Sequence, residues 1–341
     1  MPARPLKPIR LIDVAREAGV SPGAVTFVLS GTGASTIRVS EQTADRVRAA
    51  AEKLGFQPNA AARSMRGKSS KILAALTLDS STPVEAKRLY HLERRAHQAG
   101  YQLLVIRSCM READNMRNFL NQLRARQVDG LVVFSRISFR QFHDNRNDEF
   151  AGFPSIFNGW ATSSPDEPGV LPDVAHGTRL AVDHLVARGR RRIGCVLLGP
   201  GPERSAAWRT TMRTHGLEPD PRWLLNWDAQ AGHIPDEAVT AAAAEAMLNA
   251  GVDAIIAEND LWAAGLLRAL LRRGVRVPDD LSLIGYNNLD FAPLLHPSLT
   301  TIDEEDDLQA AAMLERILAV IGGHPANQVL IKPRLVVRES A

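Results

Sequence analysis

Between residues 72 and 321 the sequence repeats one alternation: a short unbroken apolar run, then a longer segment with helical spacing. The runs are ILAALTL (72–78), YQLLVI (101–106), GLVVF (130–134), RIGCVLL (192–198), DAIIA (253–257) and LSLIGY (281–286). Helical patterns lie near 85–99, 113–126, 176–188, 203–214, 236–250, 261–273 and 305–321. A strand that is apolar on both faces needs cover on both faces, and helices connecting parallel strands supply it. The segment after residue 70 is about 270 residues long, large for one such sheet, and the βαβ series runs twice. The pattern predicts two doubly wound parallel-sheet lobes with a cleft between them. Ligands of such sheets bind beyond the carboxyl ends of the strands.

The first sixty residues read differently. In LIDVAREA, Ile12, Val14, Ala15 and Ala18 share one helical face, and Gly19 suits the left-handed position past a helix end. Ser21 suits an N-cap and Pro22 the first helical position, where its missing N–H costs nothing. Val25, Val28 and Leu29 continue a stripe in the second helix. GTGAST (31–36) is a loop, Ser40 caps a third helix, and Gly55 stops it. Helix, tight turn, helix is the unit that lays its second helix in the DNA major groove, although an ordinary αα corner has the same local pattern.

Charge separates these readings. Residues 1–71 hold twelve Lys/Arg against five Asp/Glu, while the rest holds 29 against 33. A basic head on a mildly acidic body points to a polyanion partner for the head. After Pro58, the segment NAAARSMRGKSSK can form about two turns of helix, too short to be stable alone in water. It is expected to order only when held, with Arg63, Arg66, Lys68 and Lys71 suggesting DNA as the holder; a plain interdomain linker is the alternative.

Several classes find no support. Cys109 and Cys195 lie in separate apolar runs and read as buried thiols of a reducing compartment. MPARPLKPIR lacks the apolar stretch of a secretory signal, and no run reaches the ~18 residues of a membrane span. A cytoplasmic protein is expected. GPGPER (199–204) departs from a dinucleotide fingerprint, RGKSS (66–70) has Ala62 and Arg63 where a phosphate loop needs glycine, and no G-x-S-x-G occurs. The nine histidines show no metal-ligand spacing, and the acidic run DEEDD (303–307) suits a helix N-terminus better than a metal. No cofactor, metal or catalytic residue is expected.

IDVAREAGVS, KLGFQPNAAARSMRGK, GTRLAVDHLVARGRRRIG, AENDLWAAGLLRALLRRGVRVPDDLSLIGYNN and HPSLTTID resemble, in order and spacing, segments of the lactose-repressor (LacI/GalR) family of transcriptional regulators. The resemblance covers almost the whole chain. It implies an N-terminal all-α helix-turn-helix head (1–57), a hinge helix or linker (58–70), and an α/β periplasmic-binding-protein-like body (71–341). It further implies an operator-binding homodimer, a repressor, whose DNA affinity is controlled allosterically by a small molecule, a sugar or related metabolite, in the cleft. By this resemblance Leu11, Ser21, Pro22, Gly23, Ala24, Thr26 and Phe27 belong to the DNA-reading part of the head. Asn59, Arg63, Met65 and Lys68 belong to the hinge, with Met65 as an apolar wedge in the minor groove. Phe134, Asn158, Arg204, Trp227, Asp260, Asn288 and Glu304 line the effector site. Asp260 alternatively caps the helix beginning at Leu261.

The sequence also departs from the family. Where the recognition helix commonly reads T-V-S-R, this chain reads Ala24-Val25-Thr26-Phe27, which replaces an arginine able to read guanine. Asn158 stands where Asp is frequent, Val174 where Asn is, Asn287-Asn288 where Asp is, Glu304 where Gln is, and Phe134 where a polar residue is. These changes fit a ligand with a different hydroxyl pattern, or one carrying a cation. RLVVRESA at the end has no leucine heptads, so a dimer is expected rather than a tetramer. A secreted sugar-binding protein and a ribose-processing α/β enzyme are the rivals; salt-dependent DNA binding distinguishes the regulator from both.

Overall fold

The alternating runs become two six-stranded sheets in the computed structural model. The structure describes residues 9–30, 39–56, 69–77, 82–107, 113–134, 152–159, 168–198, 202–227 and 235–341. The hinge residues Asn59, Arg63, Met65 and Lys68 lie outside them. The chain divides into two compact units, one of Met1–Ile72 with Leu123–Asp129, the other of Leu73–Gln122 with Gly130–Ala341.

The first unit carries α1 (Leu11–Ala18), α2 (Pro22–Ser30) and α3 (Glu41–Leu54). Gly19 and Gly55 both take φ of 65°, the left-handed conformation that costs glycine little, and end α1 and α3. Ser21 Oγ accepts from Ala24 N at 3.2 Å at the start of α2, and Ser40 Oγ accepts from Thr43 N at 3.3 Å at the start of α3. Val14, Ala15, Ala18, Val25, Val47, Ala50 and Ala51 form the shared core. Most of these side chains are small, so the three helices approach closely. In the same unit Asp129 receives the backbone N–H groups of Ser70 and Lys71, each at 2.9 Å.

The second unit runs through β1 (Ile72–Thr77), α4 (Pro83–Gln98), β2 (Gln102–Arg107), α5 (Ala113–Ala125), β3 (Gly130–Phe134), β4 (Ser155–Asn158) and β5 (Gly169–Pro172). It continues with α6 (Val174–Ala187), β6 (Ile193–Leu198), α7 (Pro202–Thr214), β7 (Leu224–Trp227), α8 (Glu237–Asn249), β8 (Ala254–Ile256), α9 (Asp260–Arg272) and β9 (Ser282–Tyr286). It closes with β10 (Thr300–Asp303), α10 (Asp306–Ile321), β11 (Val329–Ile331) and β12 (Arg334–Val336).

The N-terminal lobe orders its strands β11-β5-β4-β3-β1-β2, and the C-terminal lobe β12-β10-β9-β8-β6-β7. Pairing is parallel for β1–β3, β3–β4, β4–β5, β5–β11, β6–β7, β6–β8, β8–β9 and β9–β10, whereas β12 closes its edge antiparallel. The chain passes between lobes three times: β5 to α6, β10 to α10, and β11 to β12. Each lobe has its own apolar interior. Leu73, Val132, Ile156 and Met313 fill one, while Ile193, Trp208, Ile255, Trp262 and Leu283 fill layers on either face of the other.

Candidate functional site

In the head, α2 presents Ser21 and Pro22 exposed, and Gly23, Ala24, Thr26 and Phe27 half-buried. Leu11 packs against the head core. The Thr26 hydroxyl donates back to Pro22 O at 3.0 Å. Phe27 is absent from the head core, while Val28 and Leu29 lie against it. An exposed Glu17–Lys53 pair at 2.7 Å links α1 to α3, an interaction worth little in water.

In the body, the carboxyl ends of strands carry the chemistry, as the topology requires. Asn158 ends β4, Tyr286 ends β9, Glu258 follows β8, and Glu304 follows β10. These residues and their partners form one buried network. Arg204, on the first turn of α7, donates from its guanidinium to the Glu258 carboxylate and carbonyl at 2.9 Å each, and to Ala257 O at 3.2 Å. The same guanidinium lies 4.3 Å above the Tyr286 ring centroid, a cation–π contact inside the protein. Burial opposes the charge on Arg204, but Glu258 beside it, together with Tyr286, Cys195 and Glu304, more than offsets burial and raises its pKa. Burial pushes the Tyr286 phenol well above its ordinary range, with Glu304 adding to the shift.

The N-terminal lobe reaches this network through α4. Arg88, only 7% exposed, donates to Glu304 and, at 3.4 Å, to Asp306. Burial disfavours its charge too, and the two carboxylates more than offset that penalty. Lys87 binds Asp306 at 2.9 Å and crosses to the carbonyls of Asn287 and Asn288 at 3.0 Å each. Asn287 donates to Glu304 at 2.7 Å. Gln309 ties the remaining members together: its amide donates to Glu304 O at 2.7 Å and accepts from Asn158 at 3.1 Å.

The turn after β9 is braced from behind. Asn287 and Asn288 have φ of 91° and 46°, left-handed conformations that asparagine tolerates better than most residues. Asp260 has no exposure; it accepts from Leu289 N and Thr301 Oγ1, both at 2.6 Å. Asn288 donates to Asp303 at 2.9 Å and accepts from Arg338 at 2.8 Å. The cap of α9 is Asn259, whose side chain accepts from Trp262 N at 3.0 Å, so Asp260 does not serve as the cap.

Of the residues singled out in sequence, the structure brings Asn158, Arg204 and Glu304 into the network and sets Asn288 and Asp260 on its edge. Phe134 is 2% exposed and packs in the N-terminal core, and Trp227 leans on Trp262 with ring centroids 6.0 Å apart. Lys87, Arg88, Glu258 and Tyr286 were not singled out. Glu258 and Tyr286 lie where the strand-end rule points; Arg88 has no local signal, because its partners are more than two hundred residues away.

Three atoms in this region are buried without a hydrogen-bond partner among the described residues: Asn158 Oδ1, Arg204 Nε and the Tyr286 hydroxyl. Among those residues no group of His, Cys, Asp and Glu could hold a metal ion, and no helix is long and apolar enough to cross a membrane.

Residues 10–59 match the family model described as bacterial regulatory proteins, lacI family, and residues 182–341 match that of a periplasmic binding protein-like domain. A transcriptional repressor PurR of Photobacterium profundum is 30% identical, with 96% of this chain and 97% of that protein aligned. The PurR repressor of Klebsiella pneumoniae is 29% identical, covering 96% of this chain and 95% of its own. The lac repressor dimer bound to operator and the anti-inducer ONPF superposes with a TM-score of 0.80 at 26% identity, over 98% of this chain and 99% of the other. A complex of the regulator CelR with cellobiose gives 0.68 at 25% identity, over 98% and 100%. Head, two-lobed body and these alignments agree along the chain's length, and the protein belongs to the lacI family of bacterial regulatory proteins.

Proposed function

We propose that the chain is a transcriptional repressor that binds operator DNA as a homodimer and is controlled by a small neutral, polyhydroxylated molecule, a sugar or related metabolite. The parts divide as a reading head (1–57), a hinge (58–70) carrying Asn59, Arg63, Met65 and Lys68, and an effector-binding core (71–341). The repressors among its relatives and the operator-bound lac repressor support the DNA half of this reading. The lac repressor bound to operator is a dimer, which supports the homodimer.

One observation carries the effector half: Asn158 Oδ1 and the Tyr286 hydroxyl, at the carboxyl ends of β4 and β9, and Arg204 Nε on α7 have no hydrogen-bond partner among the described residues. A buried polar atom left unpaired costs about 1–3 kcal/mol, so a ligand whose hydroxyls meet these atoms recovers that energy on binding. The network also bears on ligand charge. Lys87, Arg88 and Arg204 are matched by Asp306, Glu304 and Glu258. A ligand with a full charge would unbalance these buried pairs, whereas a neutral one leaves them intact. With its carboxylates engaged in ion pairs, the region reads as a binding site and not as a catalytic one.

A thermal-shift screen of the full chain against sugars, polyols, sugar acids, phosphosugars and nucleobases tests this reading. A ligand at about a hundred times its Kd adds roughly 2.7 kcal/mol of stability. The expected hit is a neutral polyol or sugar, weakened by Tyr286→Phe, which removes one hydroxyl and leaves every ion pair in place. Hits confined to phosphorylated or acidic compounds would contradict it.

A further inference from the structure

The second helix of the head has an unusual composition for a DNA-reading element. From Pro22 to Ser30 it reads PGAVTFVLS, with no Arg, Lys, Asn, Gln, Asp or Glu. Base pairs are told apart in the major groove by bidentate hydrogen bonds from Arg or Lys to guanine and from Asn or Gln to adenine, by carboxylates accepting from cytosine, and by apolar contact with the thymine methyl. Of these, α2 can make only the last. The Thr26 hydroxyl donates to Pro22 O at 3.0 Å, so it can offer a base edge only an acceptor, a weaker discriminator than a bidentate pair.

The packing of α2 selects the residue that makes this contact. Val25 is fully buried, and Val28 and Leu29 lie against the same head core. At 3.6 residues per turn, a residue two positions after Val25 is rotated by roughly 200° and faces the opposite side. That residue is Phe27. It is half-buried, it takes no part in the head core, and it is the sole large side chain of α2 outside that core. One turn earlier stands Gly23, with no side chain to keep the helix away from a surface.

We infer that Phe27 is the specificity-determining residue of the head, and that it reads the C5-methyl group of a thymine in each half-site. The inference rests on the proposal that the head docks α2 in the major groove of operator DNA. Specificity is then carried by apolar burial in place of hydrogen bonding, and affinity by phosphate contacts from the basic residues around it.

The test starts with in vitro selection of the full-length chain on random duplex DNA. Each thymine of the selected site is then replaced by deoxyuridine, which removes the methyl group and nothing else. Burying one methyl predicts a loss of about fourfold at one position in a half-site, and about fifteenfold when both half-sites are changed. Phe27→Ala is expected to lose affinity for the thymine site by a similar factor and to bind thymine and uracil sites equally; its unfolding midpoint should stay near that of the parent, since Phe27 is outside the core. Tolerance of uracil at every position would overturn the inference, as would a Phe27→Ala variant that keeps the thymine preference or a selected site with a required guanine under α2. Absence of binding to any duplex at low salt is a separate outcome: it would remove the DNA-binding reading itself, and the inference with it.

Discussion

Asp260 has no exposed surface, and burial raises its pKa from 3.8 to about 6 even though Thr301 and Leu289 donate to it. An acid with a raised folded-state pKa binds its proton more tightly folded than unfolded. Its contribution to stability is therefore best below about pH 4 and declines as pH rises to about 6, by up to about 3 kcal/mol. Asp280 and Asp307, each held near pKa 2 by arginines, act in the opposite sense at lower pH. Asp260→Asn removes the first effect alone, so the difference in unfolding free energy between parent and variant should fall from pH 4 to pH 6 and then level off. Urea unfolding at several pH values reads this directly. The sequence placed Asp260 correctly at the start of a helix, but the capping role falls to Asn259. In Ala-Glu-Asn-Asp three adjacent side chains can each cap or bind, and the backbone aims Glu258 at Arg204, Asn259 at the helix N-terminus and Asp260 at β10.

Helix α4 shows how an element acquires a function its own residues do not announce. PVEAKRLYHLERRAHQ reads as an amphipathic surface helix, yet Arg88 faces inward and meets Glu304 and Asp306 on the crossover from β10 to α10. Removing one member of a buried ion network leaves its partners charged and unpaired, a loss of about 3–5 kcal/mol. Arg88→Met is expected to destabilise the body by that order. Adding Glu304→Gln to it should return part of the loss, and a double-mutant cycle by denaturant unfolding measures the coupling. Strictly additive losses would mean the two side chains do not interact. Strands β1, β2, β3, β6, β8 and β9 were legible because each lies in an apolar run bounded by helical segments. Strands β4, β5, β7, β10, β11 and β12 were not, since each is only three or four residues long and several carry polar residues or adjoin proline. TTID in β10 looks like a turn until Thr300 and Thr301 are seen fully buried, with hydroxyls bound to Arg338 N and Asp260.

On the scale of the molecule, the unequal distribution of charge is a functional fact. The basic residues concentrate in the first 71, where twelve Lys/Arg oppose five Asp/Glu. If several phosphates are neutralised on binding, DNA affinity should fall by about 10³–10⁵ between 50 and 200 mM salt. Anisotropy titrations on the selected duplex give that slope; a flat salt dependence would contradict phosphate contacts. The two-lobe architecture and the position of the buried polar network at the strand ends follow from the sequence pattern. The pairing of Arg88 with Glu304 across the lobes does not, because long-range partners leave no local trace.

The central claim is that occupancy of the interlobe site changes how tightly the head holds DNA. The most direct measurement is the Kd for the selected duplex, by anisotropy at fixed salt, with and without a saturating neutral ligand from the thermal-shift screen. Allosteric coupling of ordinary size predicts a change of about 5- to 150-fold, and Tyr286→Phe should require more ligand to reach it. A ligand whose binding is weakened by Tyr286→Phe but whose saturation leaves the DNA Kd unchanged would contradict the account.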